Sequence, residues 1–187
     1  YTMVYKDYEY YGFIPTSYDL REFGMVTPVK DQQSGGNCWA FASIAALESA
    51  ILKASGMKLD LSEENMKNIM QKYSDYGWST IETNNGGYDD MALGYLVNWI
   101  GPVLEEIDNY DDYSMLSPLL DPTIHVQNIL YIKRDGYTDN NAIKEAVMKY
   151  GAVSTGIFFS GYYFNDVTNG YYCPMPTYAN HGVAIVG

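Results

Sequence analysis

A glycine-rich loop, Gln32-Gln33-Ser34-Gly35-Gly36-Asn37, runs straight into an apolar helical stretch that opens on a cysteine, Cys38-Trp39-Ala40-Phe41. No other stretch constrains the fold as tightly. Paired glycines let a second backbone approach closely. The N-terminus of a helix offers unpaired N–H groups and a partial positive charge. That setting favours a thiolate and can receive an oxyanion. Taken alone, Cys38 would read first as a small buried residue, because free cysteine is among the most buried types.

The totals narrow the choice of chemistry. A chain of 187 residues with 47% hydrophobic and 18% charged residues has the makings of a folded globular domain with a sizeable core. Its net charge of −12 argues against nucleic acid and against anionic membrane surfaces. No apolar run of membrane-spanning length and no signal peptide is read from the sequence. The 20 tyrosines are many for such a chain and are expected at surfaces or along a groove. Cys38 and Cys173 are the two cysteines, and neither lies in a CxxC pattern. The two histidines, His125 and His181, are far apart in sequence. No metal centre and no cofactor is therefore expected.

The elements follow from periodicity. A helix is predicted over 38–55, stopped by Gly56. Ser62 reads as the N-cap of a second helix, with Met66, Ile69, Met70 and Tyr73 as its buried stripe. A third helix is predicted over 89–100 with Leu93, Leu96, Val97 and Ile100 inward, ended by Gly101-Pro102. Residues 104–122 are acidic and loop-like. A strand is predicted over 126–132. A helix follows over 139–150, with Ile143, Ala146, Val147 and Tyr150 on one face and Gly151 as its cap. Val153, Thr155, Ile157 and Phe159 alternate as a strand would, and 183–186 suits a short buried strand. The fold class is α+β, with two unlike halves and a cleft between them.

At this point a resemblance becomes specific. Gln32, followed after five residues by Cys38-Trp39-Ala40-Phe41, is similar to the active-site signature of papain-like (C1 family) cysteine peptidases. Tyr18-Asp19-Leu20-Arg21 and Val26-Thr27-Pro28-Val29-Lys30-Asp31 also resemble that family. His181, in Asn180-His181-Gly182-Val183, follows Cys38 at the roughly 130–150-residue separation seen there. Leu61-Ser62-Glu63-Glu64-Asn65, Asn85-Gly86-Gly87-Tyr88 and Gly170-Tyr171-Tyr172 match further segments in the same order. The resemblance covers about 14–187. Residues 1–13 read as an N-terminal extension or the tail of a propeptide.

The resemblance implies a papain-like two-lobe fold. Its helical lobe lies mainly over 25–115 and its β-rich lobe mainly over 116–187, incomplete at the C-terminus. It implies Cys38 as nucleophile, His181 as base and Gln32 as side-chain donor of the oxyanion hole. Gly86, Gly87, Tyr88, Asp89, Trp39, Asn180 and Gly182 would line the substrate path, Gly87 pairing with an extended peptide through its main chain. Asp89 would favour a polar or basic side chain in the pocket, unless it is simply a solvent-facing helix start.

Three features depart from the family pattern. A disulfide common in the family would join the positions held here by Gly35 and Asn84, so other contacts must hold the cleft loops. Cys173 reads as unpaired within this chain. The asparagine that orients the histidine in the family is expected after Gly187. The closest branch is the microbial cell-surface type, which implies an extracellular or cell-surface setting, a protein or peptide substrate, and further surface domains in a longer parent chain. Two rivals remain: a catalytically impaired binding or adhesion module on the same fold, and a Cys-His acyl transferase or amidase.

Overall fold

The computed structural model describes residues 12–136, 138–175 and 177–187. Most of the expected N-terminal extension, 1–13, thus lies outside the described residues.

Helix α1, Cys38–Ser55, is the central element. Its alanine-rich sequence has high helical propensity. Gly56 ends it in a left-handed conformation, φ 75°, with its N–H donating to the Leu52 carbonyl. By length and composition α1 would pass for a membrane span, contrary to the sequence expectation that no such run exists. Here it is a core helix that packs against the other three helices and both strands of the larger sheet. It also carries Glu48, buried and ion-paired, which suits a protein interior rather than lipid.

Helices α2, Glu63–Met70, and α3, Asp89–Val97, pack on α1. Together they close a core of Trp39, Ile44, Leu61, Met66, Met91 and Tyr95. Each large apolar side chain buried there is worth roughly 1.5–3 kcal/mol. Ser62 caps α2 as expected, its Oγ accepting from the Asn65 N–H at 3.0 Å.

Both helices end earlier than periodicity predicts. Tyr73 lies beyond α2 and is 47% exposed, not part of a buried stripe. The cause is Gln71, which leaves the helix in an extended conformation and spends its side-chain amide on the Gly86 carbonyl and the Asn84 N–H. Helix α3 stops at Val97, before Ile100, because Trp99 takes a left-handed conformation, φ 57°. Its buried residues are Met91, Ala92, Tyr95 and Leu96, a face rotated from the predicted one.

The predicted strand over 126–132 does not form. The Val126 carbonyl instead accepts from the Trp99 indole N–H, and the His125 ring lies on the Trp99 ring. Helix α4, Asn141–Tyr150, buries Ala146 and Val147 while Tyr150 stays exposed. Gly151, at φ 115°, follows it and lets the chain pass against Ser49 of α1.

Strand β1, Val153–Ile157, pairs antiparallel with β4, His181–Ile185, from Val153 opposite Ile185 to Ile157 opposite His181. Phe159 falls outside β1, and β4 starts two residues before the predicted strand. Strands β2, Phe164–Asn165, and β3, Gly170–Tyr171, form a short hairpin. A second, smaller core of Leu20, Val147 and Ala152 lies near β1 and β4. Tyr113, Tyr162, Tyr172 and Tyr178 are largely exposed, in keeping with the surface role expected for many tyrosines.

A buried ionic cluster ties the approach to the glycine-rich loop into this core. Lys30 Nζ contacts Glu48 at 3.1 Å, Asp60 at 2.8 Å and Glu63 at 3.1 Å. Burial pushes the Glu63 carboxyl up to about 8, against the pull of Lys30. Between its ordinary value of 4.5 and about 8, folded Glu63 holds a proton that the unfolded chain has released. Its contribution to stability is therefore fully present below about pH 4.5 and lost as pH rises through about 8. Glu63→Gln mimics the protonated form. The variant is expected to match the wild type near pH 5 and to be the more stable of the two at pH 9. Melting curves of both proteins from pH 5 to 9 test this, and parallel profiles would refute it.

Candidate active site

The first turn of α1 and the first residues of β4 meet. A Cβ placed on Gly182 would lie 3.0 Å from the Cys38 carbonyl oxygen and 3.2 Å from the Trp39 nitrogen. Residue 182 must therefore be small for the strand to lie this close to the helix. His181, the residue before it, is thereby held beside the turn that carries Cys38. Both residues are partly buried. The His181 ring packs against Phe159 at 5.8 Å.

Asn37 is the N-cap residue of α1, but its side chain makes no capping bond. It turns away and donates to Asn84 Oδ1 at 2.6 Å and to Tyr110 Oη at 2.9 Å. The Gln32 amide donates to the Gly35 carbonyl at 2.8 Å, which fixes its rotamer and leaves its second N–H for another acceptor.

The Gly86–Gly87 loop crosses directly above this turn. A side chain on Gly36 would meet the Gly86 nitrogen at 2.6 Å, and one on Gly87 would run into the Trp39 indole. Gly86 itself needs a positive φ, 86°. Trp39 is only 2% exposed, so it supports the loop from below and presents no face to a substrate, a correction to its place on the sequence-derived substrate path. Tyr88 is exposed, with its ring 5.7 Å from Trp78.

Asp89 is the first residue of α3, one position past the cap. Partial desolvation, and then neighbouring Asp90, raise its carboxyl above the ordinary value. Asn180 is exposed at its surface but committed to Phe159, accepting from its N–H at 2.7 Å and donating to its carbonyl at 3.0 Å. Its own N–H donates to the Ile157 carbonyl at 2.9 Å, beside the end of the β1–β4 pairing.

Cys173 is free, its Sγ donating to the Met175 carbonyl. Among the described residues, no group of three or more His, Cys, Asp or Glu is placed to hold a metal. A cavity of about 290 Å³ lies behind the glycine-rich loop, lined by Lys30, Asp31, Gln33, Glu63 and Tyr110 among others. Neither Cys38 nor His181 borders it.

Sequence reasoning brought out the residues of the two turns but missed those that hold them: Asn37, Gln71, Asn84, Tyr110 and Asp112. One signal was available. With no cysteines at 35 and 84, some other contact had to join those loops, and Gly36 N–H to the Asn84 carbonyl, 2.8 Å, is one such contact.

Comparison with known proteins agrees with this architecture. Residues 14–187 match the family described as papain family cysteine protease, and the chain belongs to that family. It is similar to a cathepsin L-like peptidase of Aedes aegypti, 34% identical over 183 residues, covering 93% of this chain and 50% of the relative. It is 32% identical over 180 residues to cathepsin K of Gallus gallus, covering 92% and 50%. The chain thus spans about half the length of these curated relatives.

Among solved structures it resembles the cysteine protease and lectin-like domains of Cwp84, a surface layer associated protein of Clostridium difficile. The TM-score is 0.79 and the identity 29%, over 90% of this chain and 38% of that one. Bromelain protease from Ananas comosus shares the fold, with a TM-score of 0.74 and 24% identity over 92% and 75% of the two chains. The fold is papain-like.

Proposed function

We propose that the protein is a cysteine endopeptidase that cleaves peptide bonds through Cys38 and His181. One observation carries this reading: Gly182 lies against the Cys38 carbonyl, so the strand bearing His181 is docked on the helix turn bearing the thiol. The helix N-terminus favours the thiolate, and a protonated His181 beside it completes a thiolate–imidazolium pair. The thiolate attacks the substrate carbonyl. The free N–H of Gln32 and the backbone N–H of Cys38 receive the oxyanion, where loss of one donor typically costs about 10²–10³ in rate. His181 gives its proton to the leaving amine, then activates the water that releases the acyl group.

In the same reading, Gly86 and Gly87 offer main-chain groups to an extended peptide. Tyr88, Asp89, Asn180 and Gly182 border its path. The substrate is a protein or peptide. An extracellular or cell-surface setting, with processing of surface proteins, is part of the proposal and is supported by the likeness to the surface layer associated Cwp84.

An epoxysuccinyl peptide inhibitor tests the assembled pair. The full-length protein is expected to gain one adduct, on Cys38, by intact mass and peptide mapping, and His181→Ala is expected to lose it. Labelling that persists unchanged in His181→Ala would mean that the histidine does not activate the thiol.

A further inference from the structure

Helix α2 is polar in composition, yet every one of its residues is buried. The covering segment lies in the acidic stretch 104–122. Ser62 Oγ donates to the Asp108 carbonyl at 2.6 Å. Lys67 Nζ pairs with Glu64 at 2.8 Å and donates to the Asp111 carbonyl at 2.7 Å. Glu64 in turn accepts from the Asp111 N–H at 3.1 Å. Buried polar groups are retained where they are paired in this way. The segment around 108–114 is thus anchored to a rigid helix.

From that anchorage two groups reach the glycine-rich loop and a third reaches Asn84. Tyr110 Oη donates to the Gln32 carbonyl at 2.7 Å and accepts from the Asn37 side chain. The Asp112 carboxylate accepts from both the backbone N–H and the hydroxyl of Ser34. The Asp112 carbonyl accepts from Asn84 Nδ2 at 2.7 Å, and Asn84 takes the other Asn37 contact. Phe41 of α1 braces the Tyr110 ring edge-on at 4.8 Å. A side chain on Gly35 would meet Asn37, Asn84 and Tyr110 together, so these groups fill the space between positions 35 and 84.

We propose that residues 110–112 form a noncovalent strap that fixes the loop from Gln32 to Asn37, with Tyr110 and Asp112 as positioning residues. Hydrogen bonds through Asn37, Asn84, Tyr110 and Asp112 fill the space between positions 35 and 84 and tie the two loops together. The catalytic part of the inference rests on the peptidase reading above. The loop-holding part does not.

The test uses Tyr110→Phe and Asp112→Ala in the full-length protein, with amide hydrogen exchange and peptide hydrolysis read in parallel. Each variant removes bonds to the loop, and a lost hydrogen bond of this kind corresponds to about a tenfold change in local opening. Exchange over 33–37 is expected to quicken about tenfold while 63–70 in α2 is unchanged. Because small displacements of positioned groups cost rate rather than binding, kcat is expected to fall about tenfold or more with KM within about twofold.

Unchanged exchange over 33–37, or quickening that spreads equally through α2, would overturn the strap. Quickened exchange with unaltered kcat would overturn its catalytic role. A wild type that cleaves no peptide would instead refute the peptidase reading, while exchange would still decide whether the strap holds the loop.

Discussion

Cys38→Ala is expected to abolish peptide hydrolysis by the full-length protein, by on the order of 10⁵–10⁶ in kcat, the scale seen when a covalent nucleophile is removed. The loss should come without a change in melting temperature. Cys38 is only partly buried, and its replacement by alanine keeps the helix start intact. The variant also separates the rival readings. Hydrolysis that survives the substitution would remove Cys38 from the mechanism. A wild type that binds peptides without cleaving them would be a binding module on a peptidase fold. A wild type that transfers an acyl group to added amines, and hydrolyses only slowly, would be a transferase. Each outcome is read from product analysis on the same peptide.

Lys30→Met is expected to destabilise the protein by about 3–5 kcal/mol, the usual cost of stranding a buried charge. Lys30 is the cation among Glu48, Asp60 and Glu63, and it also donates to the Leu61 carbonyl at 2.7 Å. Glu48 keeps two donors without it, the Thr27 hydroxyl at 2.5 Å and the Leu61 N–H at 2.7 Å, but no counter-charge. Burial works against a charge on Lys30, and Glu63, Asp60 and Glu48 more than offset it, holding its ammonium above the usual range. Chemical denaturation of Lys30→Met beside Lys30→Met/Glu48→Met checks the cause. The double variant should recover part of the loss, because it removes the stranded Glu48 charge but leaves the buried Leu61 N–H without its acceptor. A single-variant loss below about 1 kcal/mol would mean that Lys30 behaves as a surface ion pair. Lys30 lies two residues before Gln32, so this cluster also sets where the glycine-rich loop departs from the core.

Much of the frame was legible in the residues. The helix over 38–55 follows from its propensity and from Gly56, and it forms as Cys38–Ser55. Ser62 announced the start of α2 through its capping chemistry. These are local signals, decided within one turn of chain. The family likeness was likewise carried by short motifs in order, from Gln32 to His181, and the family match over 14–187 agrees with it.

The failures share one cause. Periodicity finds a single apolar stripe, yet the polar side of α2, away from α1 and α3, is covered by a segment more than 40 residues away in sequence, and it meets that segment with Ser62, Asn65, Lys67 and Asn68. No local pattern reveals that a polar face is buried, because the burial depends on a distant loop bringing the matching donors and acceptors. The strand predicted over 126–132 fails for the same reason: strand formation needs a partner edge, and at Val126 the Trp99 side chain takes the carbonyl instead.

The sequence by itself therefore determined where the helix bearing the thiol begins, which residues approach it and which family supplies the plan, since each depends on short-range chemistry or motif order. Only the tertiary structure decided how the glycine-rich loop is held. Tyr110 lies 78 residues from Gln32 and Asn37 lies 47 from Asn84. Hydrogen bonds at such separations exist only after the core of α1, α2 and α3 has closed and brought their ends together.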